Sequence, residues 1–470
     1  MTLDHSILRN QFLLTKDPDR SPSGWMIRSI EDWLLSTHPS LPVINILDSR
    51  TDEIIGWLLG HPINLSGPSL LTSSNVRCDT PDSWSSMEKW LFKHAGRYIA
   101  VLFMDGATRV YLDPTGSLAA LFSIEEETVC STCSVISKGP SDNDYRSDLI
   151  DRYPNWYPFG FTPHRTLSRL LPNHYLDCGT WKAERHWPSD GEFVCTQDPE
   201  STLRLISSTV TSIIRAVNTY GCYIGLTAGA DTRIVLACAA HDLQQSVFFT
   251  GAKELDLHTA KILAKRFGIR HITLELHPAS LAEQKERLFV TGYCSDTGGH
   301  GYRSVYTSAF DDGALVLMGL AGEVGRTRYW EDGDSEEMEL TPEDLLRRLK
   351  IPALPESLAG AVEWLSFFHG WPLFHILDLL FLEQQMGCWG GPNRYFYDFL
   401  GFPEIYAFGH RDIYRSMMCI PFDYRTDNGL LKGICKLNWP ELLDLPINKY
   451  TGLKLLGKKI KKVVSLLKSC

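Results

Sequence analysis

Several widespread catalytic signatures are missing from this 470-residue chain, and each absence removes a class of function. No GxxxxGK(S/T) segment occurs, which argues against phosphoryl transfer of the kinase or GTPase type. No HExxH and no GxSxG segment occurs, so neither zinc-protease nor serine-hydrolase chemistry is supported. Positive charge is also in deficit, because the formal net charge is −10. We therefore expect no nucleic-acid partner.

A leader and long apolar runs are lacking as well. No basic stretch followed by an apolar run opens the sequence, so we expect no signal peptide. The longest apolar stretch, near residues 376–382, is far shorter than the roughly 20 residues of a membrane-spanning helix, and we expect no integral membrane contact. The twelve cysteines are scattered and lie mostly in apolar runs, which is typical of reduced thiols in a cytoplasmic protein.

One pair of cysteines, Cys130 and Cys133, has CxxC spacing. A zinc site would need a second pair, or histidines at matching spacing, to complete four ligands. We therefore favour a buried strand at this pair over a metal or redox site.

Length and pattern together predict about two domains and an α/β fold class. Residues 1–190 are β-rich, and Asp105-Gly106 between two apolar segments is a hairpin signal. From residue 197 onward, segments with helical and strand patterns alternate, which indicates a parallel sheet. The predicted elements are helix 199–218, strand 222–226, helix 231–240, strand 246–249, helix 255–267, strand 270–276, strand 314–320 and a helical region over 341–400.

The segment GLTAGADTR at residues 225–233 is the best candidate for a chemical site. It follows a predicted strand and opens a predicted helix, where small residues and the helix dipole favour an anion. Thr227 and Thr232 can donate hydroxyl hydrogen bonds to phosphate oxygens. Asp231 would repel a phosphate directly, so it is a candidate ligand of a Mg²⁺ that bridges to pyrophosphate. The alternative, that Asp231 only caps the helix, fits this segment equally well.

This segment resembles the SGGxDS loop of ATP pyrophosphatases, in particular that of glutamine-hydrolysing asparagine synthetases and β-lactam synthetases. Other stretches of the chain are similar to the same family. They are residues 96–98, 111–116, 171–176 and 185–187, Phe249-Thr250 with Asp256, residues 319–323, and the helical segment around Glu383. The resemblance therefore covers most of the chain.

The resemblance implies a two-domain fold. Residues 1–190 would form a degenerate class II amidotransferase-like domain, a β-rich α+β sandwich that is Ntn-hydrolase-like. Residues 197–470 would form an asparagine-synthetase-like domain with a parallel sheet, of the adenine nucleotide α-hydrolase-like type, with extra helices.

The resemblance also implies a reaction. In the family a substrate carboxylate attacks the α-phosphorus of ATP, pyrophosphate leaves, and an amine attacks the acyl-adenylate to form an amide. ATP and Mg²⁺ would be the cofactors, and a small-molecule or peptide carboxylate and an amine would be the partners. The resemblance leaves open whether the chain forms an oligomer.

Matched residue by residue, the resemblance assigns nucleotide contacts, metal ligands and catalytic carboxylates. Asp231 and Glu323 would hold the metal, and Glu323 and Glu383 are the catalytic candidates. Positive charge would come from Arg233, Arg326 or Lys449, whereas an ion pair of Glu323 with Arg326 or Arg328 is the structural alternative. The nucleotide-contacting positions would be Leu226, Thr227, Ala228, Gly229, Asp231, Thr232, Phe249, Thr250 and Gly319.

Three positions depart from the family pattern. The family's amidotransferase domain begins with a cysteine directly after Met1, whereas position 2 here is Thr2, so we expect no glutaminase activity. Ala228 replaces a glycine and adds a Cβ to the loop. Gly322 replaces an acidic residue, so one metal ligand is lost unless Glu323 substitutes for it.

Two main hypotheses follow. The first is an ATP-dependent amide synthetase, which the presence of Asp231 and both hydroxyl positions favours. The second is a catalytically inactive nucleotide-binding or scaffold protein, which Thr2 and Gly322 favour. A sulfurtransferase with the same loop ranks lower, because it would need a persulfide-bearing cysteine, for which Cys294 is a better candidate than Cys238.

Two segments are strongly charged. Residues 449–470 carry seven lysines and no acidic residue, which predicts a solvated amphipathic helix or, less favoured, a contact with an anionic surface or substrate. Residues 331–339 are strongly acidic and are expected to form a solvated loop.

Overall fold

The fold is taken from a computed structural model of the chain. It describes residues 5–449 except for 80, 140–142, 147–151, 154, 155, 190–192, 194–197, 252, 276, 295–299, 302–308 and 312. Thr2 and residues 450–470 therefore lie outside the described part. The described strands are β1 (Phe12–Thr15), β2 (Met26–Ile30), β3 (Trp33–Thr37), β4 (Val43–Asp48), β5 (Ile54–Asn64), β6 (Ser69–Leu70), β7 (Asn75–Cys78), β8 (His94–Met104), β9 (Ala107–Leu112), β10 (Leu121–Ser123), β11 (Thr128–Cys130), β12 (Ser168–Arg169), β13 (His174–Asp177), β14 (Lys182–Arg185), β15 (Cys222–Gly225), β16 (Val247–Thr250), β17 (His271–Thr273), β18 (His277–Pro278), β19 (His300–Gly301), β20 (Leu315–Met318) and β21 (Glu404–Tyr406).

The helices lie mostly in the second half of the chain. A π-helical segment, Phe381–Gly390, joins two of them, and a short 3-10 helix, Gly322–Arg326, follows β20. The described α-helices are α1 (Trp84–Leu91), α2 (Pro199–Asn218), α3 (Ala230–Cys238), α4 (Glu254–Phe267), α5 (Leu281–Val290), α6 (Pro342–Leu349), α7 (Pro355–Leu365), α8 (Leu373–Leu380), α9 (Gly391–Leu400), α10 (Arg411–Met418), α11 (Phe422–Thr426) and α12 (Gly429–Asn438).

The N-terminal strands form two mainly antiparallel sheets packed face to face. One sheet has the order β12-β10-β11-β1-β3-β2 and the other β14-β13-β9-β8-β5-β4-β7, with β6 beside β5. Alternate side chains such as Phe12 and Leu14 from the first sheet share a buried cluster with Trp57 and Val101 from the second. Helix α1 covers the other face of the second sheet, where Trp90 joins that sheet's outer cluster. The β-rich sandwich expected for this region is present.

The predicted hairpin is confirmed in detail. Strands β8 and β9 pair from Met104↔Ala107 onward, which leaves Asp105 and Gly106 as the turn. Both turn residues have left-handed backbones, with φ of +52° and +73°. A two-residue turn of this kind needs positive φ at both positions, and Asp-Gly supplies it at low cost.

The second half contains the predicted parallel sheet. Its order is β17-β16-β15-β20-β21, and each neighbouring pair is parallel. From β15 the chain builds outward through β16 to β17, and it then returns to place β20 and β21 on the other side of β15. The reversal of strand order therefore lies between β15 and β20. In sheets of this type, ligands bind at the carboxyl ends of the strands beside such a reversal.

The helices that flank this sheet begin and end as the sequence indicates. Asp198 caps α2 by accepting a hydrogen bond from the backbone N–H of Glu200, and Pro199 occupies its first turn. Gly268 ends α4 with a left-handed φ of +66°. The predicted strands and helices from residue 199 to residue 320 agree with the observed ones to within a few residues.

Extensive contacts join the two halves of the chain. The outer face of the six-stranded sheet, which includes Leu13, packs against Val290 of α5 and Phe396 of α9. The buried Arg97 guanidinium forms two hydrogen bonds of 2.6 Å with the carboxylate of Asp398. Helices of the second half therefore cover the outer face of the six-stranded sheet and complete its buried core.

The acidic stretch 331–339 is more firmly held than a solvated loop. The carboxylate of Asp334 is buried beside Arg348, with Nη2 and Oδ1 2.6 Å apart. Glu331 pairs with Arg347 at 2.8 Å between Nη2 and Oε2. The stretch is largely exposed, as expected, but the side chain of Asp334 departs from that expectation, because Arg348 of α6 anchors it.

Among the described residues, no helix combines the length and the apolar character needed to cross a membrane.

Candidate functional site

The candidate site is the crevice at the carboxyl ends of β15, β16 and β20. Residues 226–229 follow β15 and lead into α3, whose first turn carries Asp231. Residues 319–321 follow β20 and lead into the 3-10 helix that carries Glu323. Because β15 and β20 are neighbours on either side of the strand-order reversal, the two carboxylates approach each other there.

The backbone of the loop after β15 is bonded to the chain's own side chains. The N–H of Thr227 donates to Oγ1 of Thr232 at 3.1 Å, and the N–H of Gly229 donates to Oγ1 of Thr227 at 3.1 Å. The N–H of Ala228 donates to Oδ1 of Asp256 at 2.9 Å. An anion bound by these three N–H groups would therefore have to displace hydroxyl and carboxylate oxygens.

The C-terminal part of the described chain crosses this loop. The N–H of Asn448 donates to the carbonyl oxygen of Ala228 at 3.0 Å. Arg233, which is buried, donates to the carbonyl oxygen of Leu442 at 2.8 Å and to that of Leu445 at 3.2 Å. Arg233 thus fixes this crossing segment through Nη1, whereas its Nε and Nη2 are buried without a hydrogen-bond partner among the described residues. Lys449, another candidate cation, directly follows the contact made by Asn448.

The alanine in the loop is compatible with the loop's shape. Ala228 is not one of the residues with a left-handed backbone, so its Cβ imposes no strain there. Left-handed non-glycine residues occur instead at the ends of the 3-10 helix, at Ala321 with φ of +68° and at Thr327 with φ of +53°. Such conformations cost about 1–2 kcal/mol each and cluster at functional sites.

The main electrostatic feature of the crevice is a bidentate ion pair. Arg326 donates from Nη2 to Oδ2 of Asp231 at 2.6 Å and from Nε to Oδ1 at 3.1 Å. The same Nη2 lies 3.9 Å from Oε1 of Glu323, so both carboxylates reach one nitrogen. Oε2 of Glu323 is buried without a hydrogen-bond partner among the described residues. The sequence offered an ion pair of Glu323 with Arg326 or with Arg328, and the structure shows the contact with Arg326.

Asp231 is unusually easy to protonate. Burial, and then the charge of Glu323, raise its pKa to about 7, although the Arg326 guanidinium acts in the opposite direction. Asp231 is 8 % exposed, so its carboxylate has lost most of its hydration. A carboxyl group that changes charge near neutral pH beside a second carboxylate is typical of functional sites.

Two glycines allow the turn after β20 to pack against α3. A Cβ on Gly322 would lie 2.7 Å from Oδ1 of Asp231, and a Cβ on Gly319 would lie 3.1 Å from the backbone nitrogen of Thr232. The glycine at position 322, where the family has an acidic residue, therefore leaves the space that the Asp231 carboxylate fills. Sequence reasoning identified only a lost ligand at this position.

Phe249 and Thr250, the predicted neighbours of adenine, are engaged within the sheet. The hydroxyl of Thr250 donates to the carbonyl oxygen of Leu226 at 2.6 Å. The ring of Phe249 is buried in the cluster that joins the two halves of the chain, and it meets Phe310 edge-on at 5.1 Å. Thr250 thus connects the ends of β15 and β16, and the Phe249 ring belongs to the core.

Glu383 lies apart from these carboxylates. It is fully buried in the π-helical segment, where Oε2 accepts hydrogen bonds of 2.7 Å from Arg185 and of 2.7 Å from Trp364. Oε1 accepts from Asn173 at 3.0 Å and from Arg185. Burial raises the pKa of Glu383, but Arg185, with smaller effects of His174 and Asn173, outweighs burial, so the pKa lies below its ordinary value. No contact within the described residues joins Glu383 to Asp231 or Glu323, and its bonding pattern is that of a structural residue.

The cysteines singled out by the sequence are buried free thiols. Cys130 ends β11, and Cys133 begins a 3-10 turn beside Cys294. A hydrogen bond from Cys133 lowers the pKa of Cys294, although burial raises it. Burial raises the pKa of Cys238 to about 12. Within the described part of the chain, no group of three or more metal-binding side chains is present.

Comparisons with known proteins give only distant structural similarity. No protein-family model and no curated protein matches the chain. One similar solved chain is that of the allosteric regulatory enzyme of purine biosynthesis, with 12 % identity, a TM-score of 0.21, and coverage of 67 % of this chain and 70 % of that chain. Another is glutamine phosphoribosylpyrophosphate amidotransferase from B. subtilis complexed with ADP and GMP, with 11 % identity, a TM-score of 0.20, and coverage of 68 % and 73 %. Structural similarity at these TM-scores does not identify a family, and the resemblance to asparagine synthetases stays a prediction.

Proposed function

We propose that the crevice binds ATP with Mg²⁺, and that the chain is an ATP-dependent, AMP-forming amide synthetase, a ligase without its own glutaminase activity. The observation that supports this most is the meeting of Asp231 and Glu323 at the strand-order reversal of the parallel sheet. The loop after β15 and the N-terminus of α3 lie at the same edge of the sheet, where a polyphosphate is favoured.

The residues of the crevice fit a magnesium ion. Mg²⁺ prefers oxygen ligands and is usually held by one or two carboxylates together with substrate phosphates. Asp231 and Glu323 supply two carboxylates, and Oε2 of Glu323 is a buried acceptor that lacks a partner among the described residues. When bound there, the ion would neutralise negative charge on the pyrophosphate of ATP.

Arg326 has a defined role in this proposal. Two carboxylates with a metal ion would no longer need the guanidinium as counter-ion, so Arg326 becomes available for a phosphate, which it can bind bidentately. Thr227 and Thr232, whose hydroxyls lie 2.9 Å apart and bond to each other, can turn toward phosphate oxygens in the same way.

The proposed chemistry has two balanced steps. A carboxylate oxygen of the substrate forms a bond to the α-phosphorus of ATP, and the bond between that phosphorus and the pyrophosphate oxygen breaks. The amine then bonds to the acyl carbon, AMP leaves with the electron pair of the acyl–oxygen bond, and the amine proton passes to solvent. The cationic groups of the crevice assist the first step by stabilising the charge that develops on the departing pyrophosphate.

A second candidate is a catalytically inactive nucleotide-binding or scaffold protein. The bidentate pair of Arg326 with Asp231 favours it, because the guanidinium occupies the carboxylate that a metal ion would need. The bonded N–H groups of the loop favour it too, since an anion must compete with internal partners.

Release of pyrophosphate from ATP separates the two candidates. The full chain is incubated with ATP, Mg²⁺, an amine and a panel of carboxylates, and pyrophosphate and AMP are measured. If the chain is a synthetase, pyrophosphate is released only when a suitable carboxylate is present, and Asp231→Asn abolishes this release. The matched control is Asp334→Asn, which removes a buried carboxylate paired with an arginine outside the crevice and should keep activity. If the chain binds ATP but releases no pyrophosphate with any carboxylate of the panel, the second candidate is favoured.

A further inference from the structure

An open groove of about 650 Å³ lies between residues 336–342 and helices α7 and α8. Its floor is apolar and its rim is acidic, and none of the residues of the crevice lines it. The residues that form the floor are Met338, Leu340, Leu365, Phe368, Trp371 and Ile376. We call this feature the acidic groove, and its volume is that of a ligand-binding cleft.

The acidic groove is held in shape by contacts on both sides. The ion pairs of Asp334 and Glu331 with arginines of α6 fix the chain just before the rim. At the rim, the carbonyl oxygen of Glu336 accepts a hydrogen bond of 3.0 Å from the N–H of Leu373, at the start of α8. The groove is therefore formed before any partner arrives, which reduces the entropy lost on binding.

The rim carries uncompensated negative charge. Glu336, Glu337 and Glu339 are exposed, and among the described residues none of them has a salt-bridge partner. Arg347 and Arg348 of α6 are already paired with Glu331 and Asp334, and Arg185, which lies over the rings of Phe367 and Phe368, is paired with Glu383. An occupant that brings positive charge would thus meet carboxylates that lack a partner.

The apolar surface continues beyond the floor. Val362 on α7 is 56 % exposed and lines the groove, and Phe367, just after α7, is 38 % exposed. Apolar surface next to unpaired charges is typical of recognition sites. A small amine would neutralise only one of the three rim carboxylates, so an occupant with several cations and an apolar side chain fits better.

We propose that the acidic groove docks a segment of a partner protein that carries two or more lysines or arginines around an apolar anchor side chain. The anchor lies on the floor against the edge-to-face pair of Phe368 and Trp371, and the cations meet the glutamates of the rim. Exposed ion pairs are weak, so the apolar anchor supplies most of the affinity and the charges supply selectivity. This docking is independent of the proposed synthetase activity.

The test measures fluorescence anisotropy of a labelled peptide of about twelve residues that alternates lysine and leucine, titrated with the full chain. The variant is the triple change Glu336→Gln, Glu337→Gln and Glu339→Gln. The matched control neutralises the acidic turn 125–127, which is distant in sequence, by the same three changes. We expect the rim variant to bind at least tenfold more weakly and the control to bind as the parent does.

A second variant tests the exposed apolar surface next to the floor. Val362→Lys adds a cation at an exposed helical position, where lysine is tolerated, and we expect a further loss of binding of several-fold. Equal losses in the rim variant and the 125–127 control, or no loss in either, would overturn the proposal. So would an affinity that rises tenfold or more when residues 450–470 are removed, because the lysine-rich segment of the chain itself would then be the occupant.

Discussion

Replacement of Arg326 with methionine tests the electrostatic account of the crevice. Methionine keeps an unbranched side chain but removes the guanidinium that bonds both oxygens of Asp231. Loss of one partner of a fully buried ion pair costs about 3–5 kcal/mol, whereas exposed pairs contribute about 0–1 kcal/mol. Because the Arg326 side chain is 26 % exposed and that of Asp231 is 12 % exposed, we expect a loss of about 2 kcal/mol.

The loss should depend on pH in a defined direction. The folded-state pKa of Asp231, about 7, is higher than its ordinary value of 3.8. Removal of Arg326 removes a lowering influence, so the pKa rises further and Asp231 is protonated over a wider range. A protonated carboxyl group tolerates the missing partner, so the destabilisation should be small at pH 6, larger at pH 8 and near its full value only above the raised pKa of the variant.

Thermal unfolding followed by tryptophan fluorescence measures this effect at pH 6 and pH 8. For a domain of about 150–250 residues, a loss of 2 kcal/mol corresponds to a fall of roughly 4–8 °C in the unfolding midpoint. Addition of Mg²⁺ at pH 8 should raise the midpoint of the variant more than that of the parent, because Asp231 and Glu323 no longer share a counter-ion. The control is Arg415→Met, which removes an exposed arginine paired with Asp412. Equal midpoints for parent and Arg326→Met at both pH values, with no response to Mg²⁺, would refute the reasoning.

Three further substitutions have defined outcomes. Asp231→Asn should remove a pH dependence of stability: protonated Asp231 stabilises the fold fully below pH 3.8, and this contribution is lost as pH rises through about 7, at up to about 1.4 kcal/mol per pH unit. Chemical denaturation from pH 4 to pH 8 measures it, and an unchanged profile would contradict the pKa. Glu383→Gln leaves Arg185 buried without its counter-charge and should cost about 3–5 kcal/mol, so a variant within 1 kcal/mol of the parent in denaturation would argue against a structural role. Gly322→Ala should weaken ATP binding at least tenfold in calorimetry with an unchanged circular dichroism spectrum, because its Cβ would press on Asp231; undiminished binding would contradict the close packing.

The elements of the parallel sheet could be predicted from local sequence. Alternation of short apolar runs with helical periodicity placed β15, α3, β16 and α4 to within a few residues. The Asp105-Gly106 turn was predictable because its chemistry is local, and positive φ at both residues is rare elsewhere. Periods of two and of 3.6 residues are properties of a single segment, so no knowledge of distant contacts was needed.

The pairing of buried charges could not be predicted in the same way. Glu383 lies in an apolar run, which signals a buried carboxylate with a partner, but that partner is Arg185, almost 200 residues earlier in the chain. The sequence offered Arg326 and Arg328 as partners of Glu323, and it did not indicate that Arg326 bonds both oxygens of Asp231. Arg326 bonds Asp231, and the turn that carries it is flanked by left-handed backbones at Ala321 and Thr327, which no local pattern predicts in an alanine or a threonine.

One residue of the acidic stretch illustrates the same limit. Residues 331–339 have a composition typical of solvated loops, yet Asp334 is buried because Arg348 of α6 reaches it. Charge patterning does not reveal that a cation from another element, here Arg348, buries one carboxylate of an otherwise exposed stretch.

Calorimetric titration of the full chain with ATP in the presence of Mg²⁺ tests the central claim most directly. The account predicts saturable heat that depends on Mg²⁺, that is lost in Asp231→Asn and that persists in Asp334→Asn. Absence of heat at millimolar ATP with Mg²⁺, both in the parent chain and in Arg326→Met, where the competing guanidinium is gone, would contradict it.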